Sequence, residues 1–195
     1  MKVNSKISDL AFKFRGLIWG IFASCILVFP TVFSWKRFVF GIVLVLAGQL
    51  VRFVAAGYIP KYRTLKIGAP VLITWGPYKW VRNPLYLGNA IMGLGWSLMA
   101  GWGWVIAFVA LFFVLYTLIV IPAEEKFLVS EFGKEYEEYK KTVPALFPFP
   151  RNGFPKRSAN AKPFNFKIAR EEEIYSIRVN VVVTILIIVK LFMFR

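Results

Sequence analysis

The sequence predicts an all-α integral membrane protein whose five transmembrane helices form one domain, and three observations carry that expectation. Hydrophobic residues fill 58% of the 195 positions, against roughly 45–50% in ordinary soluble domains. They fall into five apolar runs, each close to the roughly 20 helical residues that cross the ~30 Å hydrocarbon layer. Basic residues concentrate in alternate connecting segments, which is how membrane helices acquire their orientation.

The first run spans about residues 15–34, from Gly16 to Ser34. It is longer than a signal peptide's apolar region and lacks cleavage-site residues. Gly16 and Gly20 have the spacing that permits close helix approach, with packing inside the chain as the expected use. The second run covers about Phe38–Ile59, the third Leu85 to about Gly101, the fourth Trp102–Ile121 and the fifth about Ile174–Phe194. Only Gly101, Trp102 and Gly103 separate the third and fourth, so those two are expected to form a tight antiparallel hairpin.

Lysine and arginine set the expected orientation. Lys2, Lys6, Lys13 and Arg15 precede the first run; Lys61, Arg63, Lys66, Lys79 and Arg82 lie between the second and third; the segment after the fourth is also basic. The opposite side holds only Lys36, Arg37, Lys190 and Arg195. The N-terminus and both long polar segments are therefore expected in the cytoplasm, and the C-terminus on the other face. Apart from Asp9, every carboxylate falls between Glu124 and Glu173. Within that segment Leu128, Phe132, Tyr136 and Tyr139 recur at helical spacing, so Ala123–Lys141 is expected to continue the fourth helix along the interface, with most of its charge solvated. From Val143 to Lys167 five prolines argue against long helices and for a chain lying on headgroups or protein, with a lid as one use.

Composition also narrows the chemistry. A net charge of +15 is compatible with nucleic acid or anionic lipid, but the apolar runs decide for the membrane. The absence of histidine removes histidine-based triads, His-ligated zinc and the usual proton shuttle. Cys25, the single cysteine, lies in an apolar run and is expected to be an inert packed thiol. No metal site is expected.

Two blocks carry the functional signal. The first is Leu72-Ile73-Thr74-Trp75-Gly76-Pro77-Tyr78-Lys79-Trp80-Val81-Arg82-Asn83-Pro84-Leu85-Tyr86-Leu87-Gly88. The second is Glu124-Glu125-Lys126-Phe127-Leu128, then Glu131-Phe132-Gly133-Lys134-Glu135-Tyr136-Glu137-Glu138-Tyr139 and Val143-Pro144. Proline in the first turn of the third helix leaves neighbouring N–H groups free beside Arg82 and Asn83, an arrangement suited to a carboxylate. Glu124 and Glu125 stand at the boundary across the hairpin, where they could accept hydrogen bonds from an amino group or hydroxyls.

In order and content, the blocks resemble the Gly-x-Tyr, Arg-His-Pro-x-Tyr-x-Gly and paired-glutamate motifs of the isoprenylcysteine carboxyl methyltransferase family, within a wider superfamily that includes phospholipid methyltransferases. The likeness covers roughly Leu65–Pro148. It implies a single methyltransferase domain over residues 1–195, with its core at about 65–148, a cytoplasmic or interfacial linker at 149–173 and a last helix at 174–194. It also implies S-adenosylmethionine as cofactor in a cytoplasmic pocket formed by Leu72, Ile73, Tyr78, Arg82, Asn83, Pro84, Tyr86, Gly88, Glu124 and Glu125, with the two tyrosines packing on adenine.

Two departures bear on the acceptor. Asn83 stands where the family has histidine, keeping hydrogen-bonding capacity without charge. The family's arginine shortly before the glutamates is absent from Leu118-Ile119-Val120-Ile121-Pro122. Arg52, inside the second run, would cost at least ~2.5 kcal/mol facing lipid and is the candidate substitute for substrate binding. Transfer from a sulfonium needs alignment more than acid or base catalysis, so no catalytic acid or base is expected. The expected acceptor is lipid-embedded, such as a prenylcysteine-like carboxylate. Alternatives are a phospholipid or small-molecule N- or S-methyltransferase, a nicotinamide-dependent sterol-type reductase, and a non-catalytic scaffold; nucleic acid is not an expected partner, and oligomeric state stays open.

Overall fold

A computed structural model describes residues 5–59, 71–148, 155 and 161–193, with the side chains of 5–13 outside the description. The described residues contain helices and no strand. In chain order they are α1 (Ser5–Val28), α2 (Trp35–Ala56), a short 3₁₀ turn (Gly76–Lys79), α3 (Pro84–Ala100), α4 (Trp102–Phe112), a wider π-type stretch (Phe113–Val120), α5 (Ile121–Phe132), α6 (Lys134–Thr142) and α7 (Phe166–Met193).

Three helical segments are long and apolar enough to cross a membrane: Trp35–Ala56, Trp102–Phe132 and Phe166–Met193. Their outward faces carry large apolar side chains such as Val39, Leu46 and Leu50 on α2 and Val181, Val182 and Ile185 on α7. Water would not tolerate so continuous an apolar surface. This is a membrane protein.

The tightest packing joins α2 and α3, and glycine makes it possible. A Cβ on Gly48 would lie 2.6 Å from the Gly88 carbonyl oxygen, and one on Gly41 or Gly95 would lie 2.6 Å from the other's carbonyl oxygen. Only residues without side chains let two backbones approach this closely. Val45 of α2 and Met99 of α3 join Ile26, Ile187 and Leu191 in one core cluster. A second is aromatic: Phe108, Phe112 and Tyr116 pack with Trp19 and Phe22 of α1 and with Tyr86, Ala90 and Leu94 of α3.

Several boundaries differ from the sequence expectation. α1 ends at Val28, before Pro30. Nothing described lies within 4 Å of a Cβ on Gly16 or Gly20, so this pair does not serve packing within the described chain; α1 instead packs through Trp19, Phe22 and Ile26. The fourth helix continues past Ile121 to Phe132, as expected, because Pro122 falls in the first turn of α5, where it forfeits no needed donor. The expected interfacial helix is broken at Gly133, whose φ of +53° suits glycine. α7 starts at Phe166, inside the segment read as a polar linker; the Asn165 side chain accepts from the Ile168 N–H at 3.1 Å and starts it. Lys61, Arg63, Lys66 and residues 149–154 and 156–160 of the proline-rich segment proposed as a lid lie outside the described residues.

Candidate functional site

The two sequence blocks meet at the end of the bundle where α3 begins and α5 runs into α6. The extended segment before α3 is held by backbone bonds, Arg82 N–H to the Pro144 carbonyl at 2.9 Å and Asn83 N–H to that of Ala145 at 3.1 Å. Asn83 Nδ2 donates to the same Ala145 oxygen at 3.1 Å. Asn83 thus ties the start of α3 to the chain leaving α6, using hydrogen bonds that need no charge.

Arg82 turns its guanidinium toward α5. Its Nε donates to Glu125 Oε1 at 3.0 Å and its Nη2 reaches the same oxygen. Nη1 donates to the Lys140 carbonyl at 3.1 Å and to that of Val143. Lys140 Nζ lies 2.6 Å from Glu125 Oε2, so this 8% exposed carboxylate sits between two cations. Such a cluster repays part of the desolvation cost of burying charge.

Glu124, one residue earlier, faces a different neighbour: Tyr86 Oη donates to its Oε1 at 2.5 Å. The Tyr86 ring packs 4.6 Å from that of Tyr116, whose hydroxyl accepts from Trp19 Nε1 at 3.0 Å. Asn89, one turn beyond Tyr86 on α3, lies beside the same hydroxyl, and Arg15 of α1 is an electrostatic neighbour of Glu124, Tyr86 and Tyr116.

Tyr78, in the 3₁₀ turn, packs near Ile59, Ile73 and Trp75, and its carbonyl accepts from Tyr139 Oη at 2.6 Å. Burial pushes the Tyr139 and Tyr136 phenols far above their ordinary range, and the Glu125 carboxylate adds to the effect at Tyr136. Both therefore remain neutral through the working range of pH, and Tyr139 stays a donor. Leu72 is buried with Tyr136, Tyr139 and Val143. Pro84 is buried at the first position of α3. Gly88 belongs to the α2–α3 contact, where a Cβ would strike the Arg52 side chain as well as α2 backbone.

Arg52 has partners that sequence reading did not supply. Its Nε and Nη2 donate to the two oxygens of Glu173 at 3.0 and 2.7 Å, and its Nη1 donates to Asn89 Oδ1 at 2.7 Å. Glu173, on α7, is 2% exposed. The parallel pair is the strongest geometry an arginine and a carboxylate adopt. Gln49 Nε2 approaches Glu173 at 3.4 Å, and Asn180 Nδ2 donates to Gln49 Oε1 at 2.7 Å. Beside this row an apolar cleft of about 170 Å³ opens between α2 and α7, lined by Ile42, Val45, Gln49, Asn180 and Thr184 among others.

The structure thus brings Arg82, Glu125, Tyr86, Glu124, Asn83 and Pro84 to one end of the bundle, with Leu72, Ile73 and Tyr78 on its flank, and places Arg52 and Gly88 along α2 and α3 toward its interior. Sequence reading missed Asn89, Tyr116, Lys140 and Glu173. A basic residue inside an apolar run demands an acidic partner, and that signal pointed to an acid at the margin of another run, where Glu173 stands. Asn89 and Tyr116 carry no charge and gave none. Among the described residues no group of three or more histidine, cysteine, aspartate or glutamate side chains is placed to hold a metal.

The sequence profile of the phospholipid methyltransferase family matches residues 36–135, just over half of the chain. The chain belongs to the phospholipid methyltransferase family. Both halves of the charged cluster, Arg82 and Glu125, fall within the matched region. Among curated proteins the chain is similar to the cobalt-zinc-cadmium resistance protein CzcN of Cupriavidus metallidurans, with 43% identity over 77 residues, 40% of this chain and 35% of CzcN. It is similar to the steroid 5-alpha-reductase DET2 of Arabidopsis thaliana, with 32% identity over 119 residues, 59% of this chain and 42% of the reductase. It is also similar to a protein-S-isoprenylcysteine O-methyltransferase of Schizosaccharomyces pombe, with 38% identity over 85 residues, 40% of this chain and 33% of the relative. The chain therefore spans about a third to two fifths of the length of these relatives. No solved structure matches it significantly.

Proposed function

We propose that this member of the phospholipid methyltransferase family transfers a methyl group from S-adenosylmethionine to a lipophilic, membrane-embedded acceptor. The observation that carries the reading is the meeting of the two motif blocks: Arg82 binds Glu125 across 43 residues of sequence, and Tyr86 binds Glu124 across 38. The groups gathered there are complementary to a zwitterionic amino acid joined to a nucleoside. Arg82 and the first turn of α3, with Asn83 and Pro84, suit the carboxylate; Glu124 and Glu125 suit the ammonium group and ribose hydroxyls. Tyr78 and Tyr86, with Leu72 and Ile73, offer aromatic and apolar surface for adenine, and Gly88 lets α2 close against the site. When bound, the cofactor supplies an electrophilic methyl carbon, and the chain's own task is to align the acceptor with it and exclude water.

On this reading α1, α2, α3, the α4–α5 helix and α7 are five membrane crossings, α3 and α4 form a hairpin turning at Gly101, and residues 1–195 make one methyltransferase unit. The distribution of lysine and arginine supports a cytoplasmic N-terminus and cofactor pocket, with the C-terminus on the opposite face. The cleft between α2 and α7 supports sideways entry of the acceptor from lipid. Arg52, engaged by Glu173, acts on the acceptor side through Asn89. The likeness to a steroid reductase supports a second reading, in which the same end binds a nicotinamide cofactor.

One experiment separates them: the detergent-purified protein is incubated with membrane lipid extract and either methyl-labelled S-adenosylmethionine or a reduced nicotinamide cofactor. Label appearing in a lipid-soluble product supports methyl transfer. Lipid-dependent oxidation of the nicotinamide with no labelled product would establish the reductase instead.

A further inference from the structure

Tyr116 is the one phenol in the wide helical stretch Phe113–Val120. π-type turns occupy well under 1% of residues, and where they persist they are often found at functional sites. Tyr116 is 1% exposed, with its ring near-parallel to those of Trp19 and Phe112 and packed against Tyr86. Besides Thr117, which is exposed, Tyr116 is the only residue of this stretch with a polar side-chain group.

A phenol has one proton to donate and two lone pairs to accept with. Trp19 Nε1 donates into Tyr116 Oη at 3.0 Å. Asn89 has its Oδ1 committed to Arg52 Nη1 at 2.7 Å, so its NH₂ is the part left for its other neighbour, the same phenol. Arg52 is itself fixed by both oxygens of Glu173. The chain Glu173, Arg52, Asn89 thus fixes which way Asn89 points. Both neighbours bring donors to Tyr116 Oη, and the hydrogen bond it makes with Trp19 is one that it accepts. What Tyr116 offers a ligand is its proton.

We infer that Tyr116 is the acceptor-recognition residue of this methyltransferase, a buried hydroxyl donor that selects an anionic acceptor, carboxylate or thiolate, over an amine headgroup. The inference rests on reading the adjoining Arg82–Glu125 and Tyr86–Glu124 pairs as the cofactor site. A donor in a dry site binds an anion strongly, whereas an ammonium headgroup brings only further donors to it. The neighbouring Arg15 adds positive potential of the same preference. For a carboxylate the chemistry balances without a proton transfer, and a thiol first gives its proton to the buffer and binds as the thiolate: the acceptor's anionic oxygen or sulfur then forms a bond to the methyl carbon, and the methyl–sulfur bond breaks with its electron pair remaining on the donor's sulfur. The anion and the sulfonium become a neutral methyl ester or thioether and a neutral thioether. Because the negative charge disappears along this path, the Tyr116 hydrogen bond is strongest before transfer. Its loss therefore raises KM and does not lower kcat.

The test uses the full chain in detergent, saturated with S-adenosylhomocysteine, with melting temperature followed against decanoate, 4-butylbenzenethiol (an aryl thiol ionised near neutral pH) and decylamine. Saturable protection by decanoate or the aryl thiolate and none by decylamine is expected, the better of the two anionic probes naming the acceptor class. Tyr116→Phe is expected to weaken that probe about tenfold or more while leaving the affinity for S-adenosylhomocysteine within about twofold. Because the basic surface is unchanged in the variant, adventitious binding of anions would survive the substitution. Protection by decylamine, no protection by either anionic probe, unchanged affinity in Tyr116→Phe, or a parallel loss of S-adenosylhomocysteine affinity would each overturn the assignment. Failure of folded wild-type protein to bind S-adenosylhomocysteine would overturn the underlying cofactor reading instead.

Discussion

Where α1 and α7 meet the turn between α3 and α4, the bundle is closed by carbonyls, aromatic rings and two basic side chains, Lys190 and Arg37, the latter donating to the Val32 carbonyl. Trp104 Nε1 donates to the Pro30 carbonyl at 3.3 Å, Lys190 Nζ donates to the carbonyls of Ile26 at 2.6 Å and Phe29, and Phe33, Trp35, Phe38 and Phe192 form an aromatic cluster. These contacts satisfy the last carbonyls of α1 and place aromatic rings where an interface favours them. The opposite end is closed by Arg82, Glu125 and Lys140, with Tyr86 on Glu124 and Arg52 on Glu173 behind them. A fold that needed only to close its ends could use the first chemistry twice. Burying Glu125 and Glu173, and half-burying Glu124, with their partners at one end costs desolvation that apolar packing would avoid, and the proposed binding site for a charged cofactor would account for that asymmetry.

The comparison can be broken by substitution, and the largest effect is expected behind the charged end. Glu173→Ala strands the Arg52 guanidinium in the interior and is expected to destabilise by about 3–5 kcal/mol, read as a large fall in Tm or loss of folded protein in detergent. The double variant Arg52→Met, Glu173→Leu should recover much of that loss, because no charge is left unpaired. Next, Gly48→Leu drives a side chain into the Gly88 carbonyl and should cost about 1–3 kcal/mol or more, whereas Gly103→Ala, with nothing within 4 Å of its Cβ, should leave Tm nearly unchanged. Tyr139→Phe removes the bond to the Tyr78 carbonyl and is expected to cost about 1 kcal/mol. Smallest of all, Trp104→Phe at the end without carboxylates should destabilise slightly, by about 1 kcal/mol or less, with S-adenosylhomocysteine affinity unchanged.

The sequence made α2, α7 and the α4 region legible because an apolar run of about 20 residues has few other uses. It also made the pairing of the two motif blocks legible, since Arg82, Tyr86, Glu124 and Glu125 are charged or polar residues at the edges of such runs. What it hid was long-range. Nothing local distinguishes Glu173 from Glu171 or Glu172, and only the packing of α7 against α2 selects it for Arg52. Tyr116 reads as one more aromatic in an apolar stretch until the wide turn places its hydroxyl beside Trp19. The continuation of the fourth helix past Pro122 was legible in the spacing of Leu128 and Phe132, whereas the break at Gly133 was not, because a lone glycine can lie within a helix or end it.

Calorimetric titration of the detergent-purified protein with S-adenosylhomocysteine, in parallel with Glu124→Ala, Glu125→Ala and Trp104→Phe, tests the central claim most directly. The account predicts saturable binding by the wild type and by Trp104→Phe, and binding weakened at least tenfold in both glutamate variants. Equal binding in all four proteins would contradict the placement of the cofactor at the charged end, and no binding by well-folded wild type would contradict the cofactor itself.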